Sequence, residues 1–372
     1  MKKIFYFLLF TISISTQAQK NIMLVGTYTT GKSEGVYVYS FDSKTGESIK
    51  LSSIKSTNPS YIAVAPNNKY VYVVNEEGNN NAVGGSVTAY KYNQDSSSLT
   101  LINSELSGGD HPCYVTVDKT GKWLIAGNYN GGNIAVMPIL ENGAVGKATL
   151  TQHYGSSTNK VRQTKPHVHC TYLSADNKYL FVPDLGLDKT LIYNFNAKTG
   201  TITSTKQAFV QSDTSAGPRH IEFSADNKFA YLMEELSATV QVFKHKKGKL
   251  TSIQKIKATP PAYTGTQGSA DIHVSPDGHF LYCSNRGGSN SITCFRIQED
   301  GKLVFLYNTP SLGIAPRNFN FDPTGNFLVV AHQKSDAIVV FKIDRASGYI
   351  TDTGKNITVG NPVCVKWIFG NN

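Results

Sequence analysis

Gly217-Pro-Arg-His-Ile-Glu-Phe-Ser-Ala-Asp-Asn-Lys-Phe-Ala-Tyr-Leu-Met-Glu-Glu-Leu236, followed by Val240-Gln-Val-Phe243, is the stretch that decides the fold. Ile221 and Phe223 alternate with polar neighbours and mark a short strand. Ser224 to Lys228 has the Asp/Asn composition of a tight turn. Phe229 to Met233 predicts a second strand and Val240 to Phe243 a third. Period-two alternation broken by turn residues indicates antiparallel β-structure.

The unit repeats. Its turns align at Lys69, Lys122, Lys178, Lys228, His279 and Asn326, at intervals of 53, 56, 50, 51 and 47 residues. An alternating apolar pair precedes each turn, from Ile62/Val64 to Phe319/Phe321, and is weakest at Thr171/Leu173. Second strands such as Tyr70 to Val74 follow, then third strands such as Ile338 to Phe341. Leu99 to Ile102 and Leu303 to Leu306 hint at an outer fourth strand. Four strands in a unit of about this length predict a propeller blade. Six such units leave two fragments. Asn21 to Tyr28 matches a second strand and Asn361 to Ile368 a first strand, so together they predict a seventh blade that closes the ring and removes open sheet edges. The expected fold is all-β: one seven-bladed β-propeller of four-stranded antiparallel blades.

The chain has 372 residues, 40% of them hydrophobic and 17% charged, enough for a large core. Residues 1–19 read as an export signal: Lys2 and Lys3, an apolar run from Ile4 to Ile14, then Thr16-Gln17-Ala18 as the cleavage site. The run is too short to span a bilayer. Residues 20–372 then form the propeller, in an exported, periplasmic or secreted protein without an integral membrane segment. The formal charge of +10 favours anionic ligands, but the basic residues are scattered, which argues against nucleic acid. Cys113, Cys170, Cys283, Cys294 and Cys364 lack metal-ligand spacing and read as buried thiols. Cys283 and Cys294 fall on consecutive strands of one unit and could approach each other.

Polar residues collect at one end of the blades. Nine residues before the turn position stand Ser60, Cys113, His169, Arg219, Ala270 and Arg317, and six after it Asn75, Asn128, Asp184, Glu234, Asn285 and His332. In a hairpin the start of one strand lies beside the end of the next, so these sets share an edge. Radial repetition is expected to bring that edge to one mouth of a central channel, with His169, Asp184, Arg219, His220, Glu234, Glu235, Asp271, His273, Arg286, Arg317 and His332 around it. Interior strand ends rarely collect Arg, Glu and His without pairing or function. Neither Gly-x-Ser-x-Gly nor His-Glu-x-x-His occurs.

Arg162-Gln163-x-x-Pro166-His167-x-His169, Gly217-Pro218-Arg219-His220, Glu235-Leu236, Asp271 to Gly278, Asn285-Arg286 and Pro316-Arg317 with Gln333-Lys334-Ser335 resemble the seven-bladed propeller lactonases. That family includes bacterial 6-phosphogluconolactonase and a fungal enzyme that closes carboxymuconate to a lactone. The resemblance covers essentially the whole mature chain. It implies a lactone-ring hydrolase acting on an anionic, sugar-derived or carboxylated lactone. By motif the catalytic set falls on His169 (with His167 as the nearby alternative), Arg219, Glu235 and Arg286. His167, His220, Asp271, His273, Arg317 and Gln333 are the expected substrate-binding residues. Glu234 stands where the family commonly has Asn, which leaves the active carboxylate open between Glu234 and Glu235. The export signal sits poorly with a phosphosugar substrate, which is made in the cytosol.

Lactone hydrolysis needs a positioned water, a base, and charge to stabilise the tetrahedral oxyanion. Glu235 or His169 can be the base, and a carboxylate serving so would need burial to raise it toward neutrality. Arg219 or Arg286 can hold the oxyanion or an anionic group. The scheme requires neither metal nor cofactor. A lactone-forming isomerase and a non-enzymatic binding propeller are the competing expectations.

Overall fold

A computed structural model describes residues 21–78, 84–260 and 262–368. The expected export signal, 1–19, lies outside the described residues. Among the described residues, seven four-stranded antiparallel sheets are formed, beside one three-residue 3-10 turn at Leu185–Leu187. In six blades the four strands follow one another in chain order. The seventh is composite: Pro362–Ile368 pairs with Asn21–Thr27, Ile22 opposite Ile368 and Val25 opposite Val365. The closing blade is therefore the one the sequence predicted.

Burial tracks position in the blade. Second strands such as Phe229–Glu234 are buried on both faces, because neighbouring blades cover them. The outer strand Thr201–Gln211 alternates exposed and half-buried residues, as expected with one face in water. The turn between first and second strands is fixed by side chains: Ser224 Oγ and the Lys228 amide both donate to Asp226 Oδ1, at 2.7 and 3.1 Å, while Asn227 takes φ 55°. First strands of adjacent blades approach one another across the axis.

Two features set up the interior. Each regular first strand carries a β-bulge near its start. Pro218 pairs with Glu234 and His220 with Met233, which leaves Arg219 as the extra residue. The same shift occurs between Pro59 and Tyr61, Pro112 and Tyr114, Ser269 and Ile272, Pro316 and Asn318, and beside Val363 in the closing blade. A bulge re-aims the extra side chain. The remaining blade is irregular. Its first strand is just Tyr172–Leu173, preceded by an isolated bridge from Val168 to Asp184. This is the blade with the weak Thr171/Leu173 signal.

All five cysteines are buried free thiols. The expectation that Cys283 and Cys294 approach is corrected by register. Cys294 lies opposite Tyr282, and Cys283 opposite Thr293. Successive side chains alternate faces, so the two sulfurs lie on opposite faces of the sheet and cannot be bridged.

Candidate functional site

Glu235 follows the second strand of its blade and is buried beneath three guanidinium groups. Arg162 Nη2 donates to Oε1 at 2.8 Å, and Arg219 Nε to Oε2 at 3.0 Å. Arg286 Nη2 stands 3.1 Å from Oε2. His169 Nε2 is 3.8 Å from that same oxygen. The structure thus brings together His169, Arg219, Glu235 and Arg286. Burial alone would raise the Glu235 carboxyl, but Arg286, Arg219 and Arg162 together hold it down to about 2. His169 is held well below the usual histidine range, by burial first and then by Arg219, His220 and Arg317. Burial lowers Arg286 to about 10 against the pull of Glu235.

Glu234, the neighbouring carboxylate, belongs elsewhere. Strand alternation turns it from the arginines, and its Oε2 accepts from Ser237 Oγ at 3.2 Å. Burial raises it to about 7. Between the two carboxylates, Glu235 is the one that meets the cationic cluster.

His220 and Asp271 form a second layer. His220 Nδ1 lies 2.7 Å from Asp271 Oδ1, and Arg219 Nη1 donates toward His220 Nε2 at 3.2 Å. Since Nε2 accepts, the proton of neutral His220 sits on Nδ1 and goes to Asp271. Burial and Arg219 lower His220 to about 3. Asp271 Oδ2 also faces His273 Nε2 at 3.1 Å and accepts from Asn318 Nδ2. His273 Nδ1 meets Glu222 Oε2 at 3.4 Å, and these two carboxylates raise His273 to about 9 against its burial. His273 therefore belongs to an ion-paired chain further along the first strands and makes no contact with Glu235.

Other expected residues are spread around this core. His167 stacks on Tyr129 at 4.4 Å, and its Nδ1 donates to the Tyr129 carbonyl at 3.0 Å. Arg317 lies over the Tyr28 ring and 3.8 Å from Glu76 Oε2, which accepts from Tyr28 Oη at 2.8 Å. Asp184 serves structure: it holds His153 Nδ1 at 2.7 Å and accepts from the His167 and Gly186 amides. Gln333 bonds through its backbone, to Ala315 and to the Asn361 side chain, and is not brought to Glu235. His332 is wholly buried, and burial lowers it to about 4.

Three contributors received no role from the sequence, although Arg162 opens the matched Arg162-Gln163-x-x-Pro166-His167-x-His169 motif and Tyr129 falls among the polar residues at the blade ends. Arg162 sits on the connection after Thr149–Gln152, where Asn159 Oδ1 accepts from the Val161 and Arg162 amides. Tyr129 Oη accepts from Arg162 Nη2 at 3.0 Å. Asp188 anchors this connection to the next blade: it accepts from Gln163 Nε2, Ser157 Oγ and the Ser215 and Gly217 amides. The 56-residue interval, longest of the five, was the available signal for the extra segment.

The molecule is a closed seven-bladed propeller with a buried site of arginines converging on one carboxylate. Comparison with known proteins is consistent with that class. Residues 22–367 match the family model described as lactonase, 7-bladed beta-propeller. The chain is 36% identical over 356 residues to the 6-phosphogluconolactonase of Bacillus subtilis (strain 168), covering 94% of this chain and 99% of that one. It is 36% identical over 349 residues to the 6-phosphogluconolactonase of Formosa agariphila, covering 91% and 96%. The solved structure of a periplasmic gluconolactonase from Pseudomonas aeruginosa superposes with a TM-score of 0.90 at 36% identity, covering 94% and 99%. The chain belongs to the seven-bladed β-propeller lactonase family.

Proposed function

We propose that this protein hydrolyses an anionic sugar-derived lactone at the Glu235 cluster, which opens at one mouth of the channel. The observation that carries the reading is the excess of cations there. Arg162, Arg219, Arg286 and Arg317 face Glu235 and Glu76 as the carboxylates within ion-pair reach among the described residues. A buried surplus of guanidinium groups favours a ligand bearing negative charge, and an oxyanion forming in the reaction.

The geometry supports division of the chemistry. Each Glu235 oxygen is held by guanidinium, and a carboxylate held down to about 2 is a weak base. His169 is neutral, with Nδ1 3.6 Å from Cys113 Sγ, so Nε2 is the nitrogen facing the site. In the proposed reaction a water on Nε2 attacks the lactone carbonyl carbon, and its proton passes to His169. The carbonyl oxygen becomes an oxyanion beside Arg219 and Arg286. The intermediate collapses, the ring C–O bond breaks, and the leaving alkoxide takes the proton back from His169. The product is a hydroxy acid. Glu235 fixes the two arginines and stabilises the transient imidazolium 3.8 Å away.

Export is part of the proposal. The apolar run at Ile4 to Ile14 and the likeness to a periplasmic gluconolactonase both favour a substrate met outside the cytoplasm. A panel of phosphorylated and unphosphorylated sugar lactones, assayed on protein starting near Gln19, tests the reading. Turnover with kcat/KM flat as pH falls through 6.5, lost by about 10²-fold or more in His169→Asn, is the expected result. No turnover of any lactone, or an acid limb in the ordinary histidine range, overturns it.

A further inference from the structure

The ring of bulges encloses a second, smaller site. Its cavity is lined by Ser60, Cys113, Arg219, Arg317 and Val363, the extra residues of five blades, together with Tyr61, His220 and Asn318. It shares Arg219 with the Glu235 cluster but none of Glu235, Arg162, Arg286 or His169. It offers about 10 Å³ of free space to the centre of a water-sized sphere, room for one particle. Two of its donors are poorly used. Ser60 is 3% exposed, and its Oγ has no hydrogen-bond partner. Arg317 carries five N–H donors, yet its partners among the described residues are a carboxylate oxygen at 3.8 Å and the face of Tyr28. His220 and Asn318 are already committed to Asp271.

We propose that this cavity is a binding site for one monatomic anion, chloride under ordinary conditions, held by Arg317, Arg219 and the Ser60 hydroxyl. Charge and size carry the assignment. His273 lies between Asp271 and Glu222, and Lys366 lies by Tyr61, Cys364 and Asp271, cations that have anions beside them. Among the described residues the four arginines have Glu235 and Glu76 alone as ion-pair partners, so this part of the interior carries a surplus of positive charge. Burying unpaired charge is costly, and a small anion beside two guanidinium groups offsets it. A phosphate or a whole carboxylate is far larger than the one particle this space admits, whereas a halide is a single particle only slightly larger than a water. Ser60, otherwise an unmet buried donor, then has its acceptor.

The test uses the protein starting near Gln19, crystallised and soaked in sodium bromide, with anomalous diffraction at the bromine edge. An anomalous peak within hydrogen-bond distance of Ser60 Oγ and the Arg317 guanidinium is expected. In parallel, melting is compared in sodium chloride and in sodium methanesulfonate of equal ionic strength, the latter anion being too large to enter. At ten times its dissociation constant chloride should raise the midpoint by about 2 °C. Ser60→Ala, a small change expected to leave the blade intact, should abolish most of that difference, and Arg317→Gln all of it. A water without anomalous signal, or equal melting in both salts, overturns the site. A halide effect that survives Ser60→Ala and Arg317→Gln alike also overturns it, because the ion would then act elsewhere.

Discussion

Replacing Glu235 by Gln keeps the shape and removes the charge on which three arginines converge. The carboxyl falls from an ordinary 4.5 to about 2 in the folded protein. At about 1.4 kcal/mol for each tenfold change in proton affinity, the ionised form contributes about 3 kcal/mol. The sign follows from linkage. A depressed carboxyl stabilises fully above its unfolded value and loses that contribution as pH falls toward its folded value. The window is thus 4.5 down to about 2, and about 2 kcal/mol of the contribution is gone by pH 3. Roughly 350 folded residues carry an unfolding entropy near 0.7 kcal/mol/K, so the difference between wild type and Glu235→Gln should shrink by about 3 °C between pH 5 and pH 3. At pH 7 the variant should melt several degrees lower, because it leaves buried guanidinium groups unpaired. Differential scanning fluorimetry of both proteins across pH 7 to 3 makes the measurement. Each curve also contains other buried groups, notably Asp271, but these cancel in the difference. Melting curves that run parallel with pH would falsify the view that Glu235 is the ionised hub of the cluster.

Two further substitutions separate site from scaffold. Glu234→Gln should leave lactone turnover within about twofold. Because burial raises this carboxyl to about 7, wild type should lose stability as pH rises from 4.5 to 7 while the variant does not, so the variant should melt higher at pH 7 and alike at pH 4. Abolished turnover would instead move the active carboxylate by one residue. Trp367→Ala empties a buried position in the closing strand, where the indole meets Phe41 edge-on at 5.2 Å. It should cost about 3–5 kcal/mol, roughly 4–7 °C, and unchanged melting would mean that the composite blade contributes little to the ring.

What was legible in the sequence depended on periodicity. Alternation and turn residues repeat in six units, so small local errors do not accumulate, and the composite seventh blade followed from two fragments that each lacked what the other had. The same count from the turn put Ser60, Cys113, His169, Arg219 and Arg317 in one class, and the structure gives that class its physical meaning: bulged residues, or in His169 the equivalent of one, turned toward the axis. The bulge itself has no sequence mark, since Pro218-Arg219-His220 reads as plain strand. Arg162 headed a matched motif, but its place in the cluster was hidden for a different reason. It is delivered by a connection whose course is set by Asn159 and Asp188 hydrogen bonds, and no periodic rule predicts where such a segment lands. Alternation also separates neighbours that sequence adjacency joins: Glu234 from Glu235, and Cys283 from the face that Cys294 occupies.

That difference bears on how such a site can change. The ring positions are fixed by backbone bulges shared among blades, so replacing one side chain there alters chemistry while the scaffold stays. Arg162 is carried by a surface connection with a half-exposed side chain, yet it reaches the same carboxylate as the fully buried Arg219. The cluster therefore joins residues placed by the repeat to one delivered by an irregular connection. In the proposed reaction the surplus of guanidinium groups inside the ring favours an anionic substrate. On the proposed function, the connection that carries Arg162 lies outside the repeated strands and is the part placed to bear on substrate size.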